Sequence, residues 1–387
     1  MRAVIAGAGI AGLVAARQLG LAGWQVDVLE RSPGPREDGY MMDFFGPGVH
    51  AAQEIGLYDT LAAVAYRVVA AAYVDARGRE TARLDYARFS RLAGGDVLSL
   101  LRPDMEEALR REAGLVPGVR LHYGVRASGV DEQSGRVFVN TGEPGHSFTA
   151  DVLIGADGLH SAVRQAVFGP EQRYLRDLGM RAAAYIVHEP RLNELIGGRF
   201  LLTDSLGCTA ACYGLRDGRV AALLVYGPAP GDPQQVRERL RARCAGLGEL
   251  PDRLLALCPA DPYDDVVAQV VMPRCVSGRT VLLGDAGGAV SLLAGQGGSL
   301  AVAGAARLAG LLGPLRQTER IPSALADFEQ RWRPTVDSAQ AAGRRAAANF
   351  LPQTRTRLLM RRWVLRAAGL PLVDRIIARQ ISAQIAR

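Results

Sequence analysis

Three features of this 387-residue sequence predict an α/β fold, in which a Rossmann-like nucleotide-binding domain carries an inserted antiparallel β-sheet domain and a C-terminal helical segment. First, an apolar strand at 2–6 runs into Gly7-Ala8-Gly9-Ile10-Ala11-Gly12, an Ala-rich helix at 13–21 and a strand at 25–30 that ends on Glu30. Second, the pattern between Tyr174 and Met272 changes to alternating and β-branched runs, as expected of antiparallel strands with one face on a core. Third, the earlier style returns at Thr280-Val-Leu-Leu-Gly284-Asp285, followed by a Gly/Ala-rich helix at 297–312. A parallel sheet completed so late makes the sheet-rich segments insertions. The expected division is 1–72, 98–172 and 273–320 for the nucleotide domain, 73–97 and 173–272 for the inserted sheet, and 321–387 for the C-terminal helices.

The opening turn carries the first chemistry. Gly7 permits the sharp turn, Gly9 lets the backbone approach a pyrophosphate, and Gly12 lets the helix pack on the strand. The N–H groups around Gly9, Ile10 and Ala11 then lie at the positive end of the helix dipole, where phosphate is stabilised. Glu30 sits where a carboxylate accepts from ribose hydroxyls and repels a 2′-phosphate, and Arg31 follows it at the cofactor edge. An adenine dinucleotide is implied; NAD and FAD remain open at this point.

The remaining elements follow in order. Residues 31–45 hold Pro33, Gly34, Pro35 and Gly39 and read as a loop, and a helix is expected at 49–57. Strands are expected at 68–74, 81–84 and 98–101, then a helix at 103–112 with Pro103 at its first position, where a missing N–H is harmless. Strands at 119–130, 136–140 and 148–154 are separated by turns at Ser134-Gly135 and Pro144-Gly145. The inserted sheet is expected to use 180–187, 199–203, 209–213, 219–226 and 265–271, interrupted by one helix at 233–245. Helices at 323–350, 354–368 and 372–386 complete the chain, with a break at Pro352.

Composition excludes several classes. Every basic residue is arginine, so the net charge of +7 reflects codon preference more than a partner, and Schiff-base or pyridoxal chemistry on lysine is ruled out. Basic and aromatic residues do not interleave, so no nucleic-acid partner is expected. Cys208, Cys212, Cys244, Cys258 and Cys275 form an odd set without a CxxC pair; they read as reduced thiols, with no metal site. No leader and no run of 18 apolar residues is seen, so a cytoplasmic protein without a membrane span is expected. The arginine-rich stretch at 355–366 reads as a helical lid with its arginines snorkelling over the core.

Two further motifs join the glycine turn: Gly155-Ala-Asp157-Gly158-Leu-His-Ser161-Ala-Val-Arg164, and Leu283-Gly284-Asp285-Ala286. With all three in order, each after an apolar strand, nearly the whole chain resembles the single-component FAD-dependent aromatic hydroxylases and epoxidases of the p-hydroxybenzoate hydroxylase type. The resemblance implies FAD as cofactor, with Asp157 near both FAD and the nicotinamide route, Asp285 accepting from the ribityl hydroxyls, and Arg102 near the flavin phosphates. Ala127 would meet adenine through its backbone. Gly295, Gly297 and Gly298 lead into a helix whose N–H groups would face the N1/O2 edge of the flavin. NADPH or NADH would reduce the flavin, and O₂ added at C4a as a hydroperoxide would deliver oxygen to an aromatic ring or alkene. The resemblance demands no catalytic side chain, and His50, His160 and His188 read as structural or surface residues. One departure stands out: where the family carries prolines after its third motif, this chain has Gly287-Gly288 and Ser291-Leu292-Leu293, which implies a softer loop or a wider pocket.

Substrate is expected between the flavin and the inserted sheet, against Met42, Phe44, Leu201, Thr209, Ala211, Tyr213, Leu223 and Tyr226. These residues favour a bulky hydrophobic molecule such as a polycyclic aromatic polyketide, a polyene or a tetracycline-like antibiotic. The alternatives are an oxidase or dehydrogenase on the same fold and a non-catalytic flavin-binding subunit. A halogenase is disfavoured, since Trp-x-Trp-x-Ile-Pro and lysine are both missing.

Overall fold

The computed structural model describes residues 1–35, 39–92, 95–142, 147–229 and 235–367. A six-stranded sheet forms the centre of the nucleotide domain, in the order Val276–Ser277, Thr280–Leu282, Val152–Gly155, Arg2–Ala6, Gln25–Glu30, Val119–Tyr123. All neighbours are parallel except the terminal hairpin of Val276–Ser277 with Thr280–Leu282. Parallel strands covered on both faces read as continuous apolar runs, and Val152–Gly155 and Thr280–Leu282 are buried at every position. The helices Ile10–Leu21, Arg102–Gly114 and Gly297–Leu312 share one core with this sheet through Leu13, Leu109, Val302 and Leu308.

The second sheet has seven strands, ordered Tyr263–Val270, Leu175–His188, Arg219–Tyr226, Cys208–Gly214, Arg199–Ser205, Ala70–Val74, Glu80–Asp85. Its strands pair antiparallel except Arg199–Ser205 with Ala70–Val74. One face, with Cys212, Ala222, Leu224 and Tyr226, packs on the helices Val236–Cys244 and Glu249–Leu257 through Leu240 and Leu254. The other face meets the nucleotide domain through Tyr213 and Ala221 against Leu101, and the C-terminal helices through Val225 against Ala347 and Leu351.

Several expectations need correction. The loop at 31–45 contains a strand, Met41–Phe44, paired with Leu98–Leu101, which supplies the hydrogen-bonding edge that a local reading cannot see. The single strand at 119–130 divides into Val119–Tyr123 and Gly129–Gln133 around Gly124, whose φ of 73° breaks the extended run. The strand at 148–154 divides at Asp151 into Ser147–Ala150 and Val152–Gly155, which belong to different sheets. Among the described residues the inserted sheet domain carries three further helices, Tyr86–Leu92, Pro190–Ile196 and Glu249–Leu257.

The expectation of five reduced thiols is also corrected. Cys208, on a strand, and Cys244, on the helix Val236–Cys244, form a disulfide with Cα atoms 5.9 Å apart. Their separation of 36 residues left no local signature. Cys212, Cys258 and Cys275 are free thiols.

At the C-terminus, the long helix Ile321–Ala348 is followed by Arg355–Ala367, and the helix expected at 372–386 lies outside the described residues, as does the turn at 144–145. The lid covers the core with one side only. Arg361 and Arg362 reach Asp204 at 3.4 Å, while Leu359, Met360 and Trp363 stay exposed. No helix among the described residues is long and apolar enough to cross a membrane.

Candidate active site

The three motifs converge on one cleft of about 270 Å³ at the carboxyl ends of the parallel strands, where open α/β sheets bind ligands. Gly7, at φ 103°, donates its N–H to the Leu29 carbonyl at 2.7 Å, so the turn is pinned against the second strand. A Cβ on Gly7 would lie 2.4 Å from the Ala156 carbonyl oxygen, and one on Gly12 would lie 2.0 Å from the Gly7 oxygen. Both glycines are therefore required by packing of the protein on itself. Gly9 differs: its nearest neighbour would be Glu106 Oε1 at 3.7 Å, so the empty space over Gly9 belongs to the cleft. Ile10, Ala11 and Gly12 are buried in the helix and form the turn's support, and none of the three lines the cleft.

Glu30 is 9% exposed, and its two oxygens accept from the Ala8 N–H and the Ser32 N–H, both at 2.9 Å. Those bonds orient the carboxylate on the cleft wall beside Arg31 and Ala127. Arg102 starts the helix Arg102–Gly114 and pairs with Glu106 at 3.0 Å, one helical turn on. Burial disfavours its charge, but Glu106, Tyr40 and Asp285 outweigh that and raise its pKa above the ordinary arginine value. Asp285 lines the cleft and is exposed to it. The protein packed around it still disfavours the charged form and raises its carboxyl above the usual range, and Arg102 partly opposes the rise. Met42, Gly295, Gly297 and Gly298 complete this end, with the N-terminus of Gly297–Leu312 directed at the cleft.

Asp157 lines the cleft, yet its carboxylate is occupied locally. It accepts from the Ser161 hydroxyl and from the N–H groups of Ala162 and Val163 at 2.7 and 3.1 Å, capping the helix Ala162–Phe168. The fully buried Arg164 then donates to the Leu159 and Ala286 carbonyls at 2.7 and 3.0 Å and pairs with Glu171 at 3.0 Å. One guanidinium thus joins the second motif to the third.

His160, read from the sequence as structural or surface, has partners the sequence did not show. It faces the cleft between two carboxylates, with Nδ1 3.1 Å from Glu171 and Nε2 3.1 Å from Asp265. The hydrogen bond to Asp265 leads a set of interactions that overcome partial burial and push the imidazole up to about 9. Asp265 comes 105 residues later on the strand Tyr263–Val270, so only folding reveals the trio.

Most of the expected substrate wall lies elsewhere. Only Met42 of that set lines the cleft. Phe44, Tyr226, Leu201 and Ala211 are buried in cores, and the Tyr213 hydroxyl is occupied by the Met41 N–H. Thr209 is buried within the sheet, and Leu223 packs on the cluster around Val225 and Leu351. The physical reason is edge order. The cleft meets the seven-stranded sheet only at its edge strand, so Tyr263, Asp265, Val266 and Ala268 form the wall, while central strands are covered on both faces. Tyr40, Glu106, His160 and Tyr263 are therefore site residues that local patterns missed; the Arg102–Glu106 spacing of four was the one legible signal.

The loop after the third motif also faces the cleft, with Val290, Ser291, Leu292 and Gly295 on its surface. Ser291 has φ 87°, a conformation that costs a non-glycine residue about 1–3 kcal/mol and survives only where neighbours over-determine it.

The arrangement fits FAD: glycine cradle, carboxylate at the second strand, two helix N-termini and an acid lining the cleft. The profile of the FAD binding domain family matches residues 1–342. The chain belongs to that family. A Mycobacterium tuberculosis protein of undefined activity is 34% identical over 323 residues, covering 80% of this chain and 84% of its own. A flavin-dependent monooxygenase from an unknown prokaryotic organism is 29% identical over 356 residues, covering 90% of each. The structure of tetracycline destructase Tet(55) superposes with a TM-score of 0.78 at 26% identity, covering 95% of this chain and 96% of that one. This member of the FAD-binding family is an FAD-dependent monooxygenase.

Proposed function

We propose that the enzyme consumes NAD(P)H and O₂ to hydroxylate or epoxidise a bulky hydrophobic, aromatic or polyketide-like small molecule. The observation that carries this reading is the continuity of the cleft. It runs from the Gly7–Gly9 cradle past Asp285 to Tyr40, Met42, Leu292 and Tyr263, so one cleft joins the dinucleotide cradle to the edge strand of the second sheet. Bound FAD supplies the redox chemistry, so that NAD(P)H provides two electrons, one oxygen atom enters the substrate and the other leaves as water.

The chain's own residues bind, orient and exclude water. Glu30 and the glycine turn hold the adenosine end, Asp285 takes the ribityl hydroxyls, and the N–H groups from Gly297 onward favour negative charge on the ring edge. His160, held as a cation by Asp265 and Glu171, fastens the edge strand to the nucleotide domain. Met42 and Leu292 supply apolar walls. Likeness to a tetracycline destructase supports a large polycyclic substrate.

The test is direct. The purified protein with FAD is screened with tetracyclines, aromatic polyketides and a small phenolic acid for stimulated NAD(P)H loss, and ¹⁸O₂ is traced into product. Stimulation by the polycyclic compounds with labelled product is expected. Unlabelled product accompanied by stoichiometric peroxide, or stimulation by the phenolic acid alone, overturns the proposal.

A further inference from the structure

The strained loop at 289–295 is held from behind by a reciprocal pair of buried glutamines. Gln340, on the helix Ile321–Ala348 and 3% exposed, donates its side-chain amide to the carbonyls of Ala289 at 3.1 Å and Val270 at 2.7 Å. Gln269, on the strand Tyr263–Val270 and fully buried, donates to the carbonyls of Val290 at 3.1 Å and Gln340 at 2.8 Å. Arg344 donates to the Gln269 side-chain oxygen at 3.0 Å, which leaves the Gln269 amide nitrogen turned toward the loop. The helix also comes close enough that a Cβ on Gly343 would sit 2.4 Å from the Val290 oxygen.

Two elements far apart in sequence, a strand and a helix, therefore converge on two consecutive carbonyls, just before Ser291 turns into its left-handed conformation. The next residues face the cleft. Buried donors that satisfy backbone carbonyls directionally specify one conformation, whereas apolar packing would tolerate several.

We propose that Gln269 and Gln340 are positioning residues: they clamp the Ala289 and Val290 carbonyls and so hold the loop 289–295 in the conformation that receives the flavin ring. The clamp rests on the FAD reading for its ligand, while its action on the loop stands independently. Neither glutamine lines the FAD-binding cleft.

Three variants test it: Gln340→Met, Gln269→Met and Gln269→Glu, the last keeping the acceptor for Arg344 while removing the amide donor. Each is assayed as the full chain by local amide hydrogen exchange, by FAD titration of the apoprotein and by visible circular dichroism of the bound flavin. Losing one such bond should weaken FAD binding roughly tenfold. Exchange should accelerate at 291–295 ahead of the rest of the chain, with an altered flavin dichroism. Gly343→Ala, which presses on the Val290 carbonyl, should act in the same direction and serves if the glutamine variants fail to fold. Unchanged loop exchange and flavin dichroism in folded variants overturns the clamp. A uniform rise in exchange across the chain does so as well, since it marks a merely structural role. If the parent protein itself binds no FAD, the functional reading falls, and the exchange measurement still decides the clamp.

Discussion

Arg164 donates to the Ala286 carbonyl at 3.0 Å from a fully buried position, so the second and third motifs are one mechanical unit. The two segments lie 122 residues apart in the chain. Replacing Arg164 by Met leaves the Ala286 and Leu159 carbonyls and Glu171 without their shared donor. A loss of about 3 kcal/mol of stability is expected, the scale for breaking a buried charged contact. Denaturant unfolding of the apoprotein measures it, and a change within 0.5 kcal/mol, typical of surface sites, would refute the clamp between motifs.

Gly9 and Gly12 separate binding from folding. Gly12→Ala forces a Cβ to 2.0 Å from the Gly7 oxygen and should cost roughly 1–3 kcal/mol of stability, the range for overpacking. Gly9→Ala has protein neighbours no closer than 3.7 Å and an extended backbone, so the apoprotein should melt near the parent temperature. Its new methyl group points into the phosphate cradle, and FAD affinity should collapse. Normal flavin uptake by Gly9→Ala would contradict the assignment of the cradle.

Asp285 meets the cofactor through charge-assisted hydrogen bonds in this reading. Its conversion to Asn should weaken FAD binding by roughly ten- to a hundredfold, at about 1.5–3 kcal/mol for such bonds. Because the protein packed around the carboxyl raises it, part of the effect should appear in the parent protein as pH falls toward the acid range. Flavin fluorescence titration from pH 5 to pH 8 reads both effects; a parent affinity constant over that range, with no loss in the Asn variant, rejects the role.

His160 supplies a pH signature. Its pKa is raised to about 9 in the folded protein against an ordinary 6.5, so the folded state binds the proton more tightly. The stabilising contribution is therefore fully present below about pH 6.5 and is lost as pH rises through about 9. Partial exposure limits it to about 1 kcal/mol. Asp265→Asn should bring the imidazole pKa down toward the ordinary value and flatten the stability profile between pH 6 and pH 10. An NMR titration of His160 near 6.5 in the parent would sink this account.

Legibility followed the distance over which information is carried. The turn Gly7–Gly12, the strand ending on Glu30 and the helix Gly297–Leu312 were readable because steric need and periodicity are local. Arg102 was readable as the residue between a strand and a helix, and Asp285 as the acid following a buried strand. The trio His160–Glu171–Asp265 and the Cys208–Cys244 disulfide were not, because their partners meet only after the sheets assemble.

The substrate wall is the clearest case of what tertiary structure alone decided. Alternation marks one face of Thr209, Ala211 and Tyr213 from the other, but it cannot say which strand lies at the edge. Sheet order puts Tyr263–Val270 at one edge, although it comes last of the seven in sequence, while Leu201, Ala211 and Tyr226 on inner strands are buried. By itself the sequence determined that this chain builds an adenine-dinucleotide cradle, since backbone geometry at Gly7, Gly9 and Gly12 is dictated residue by residue. Which side chains share the cleft with that cofactor, and what holds the loop beside it, depended on long-range pairing, whose energy comes from contacts that no local pattern encodes.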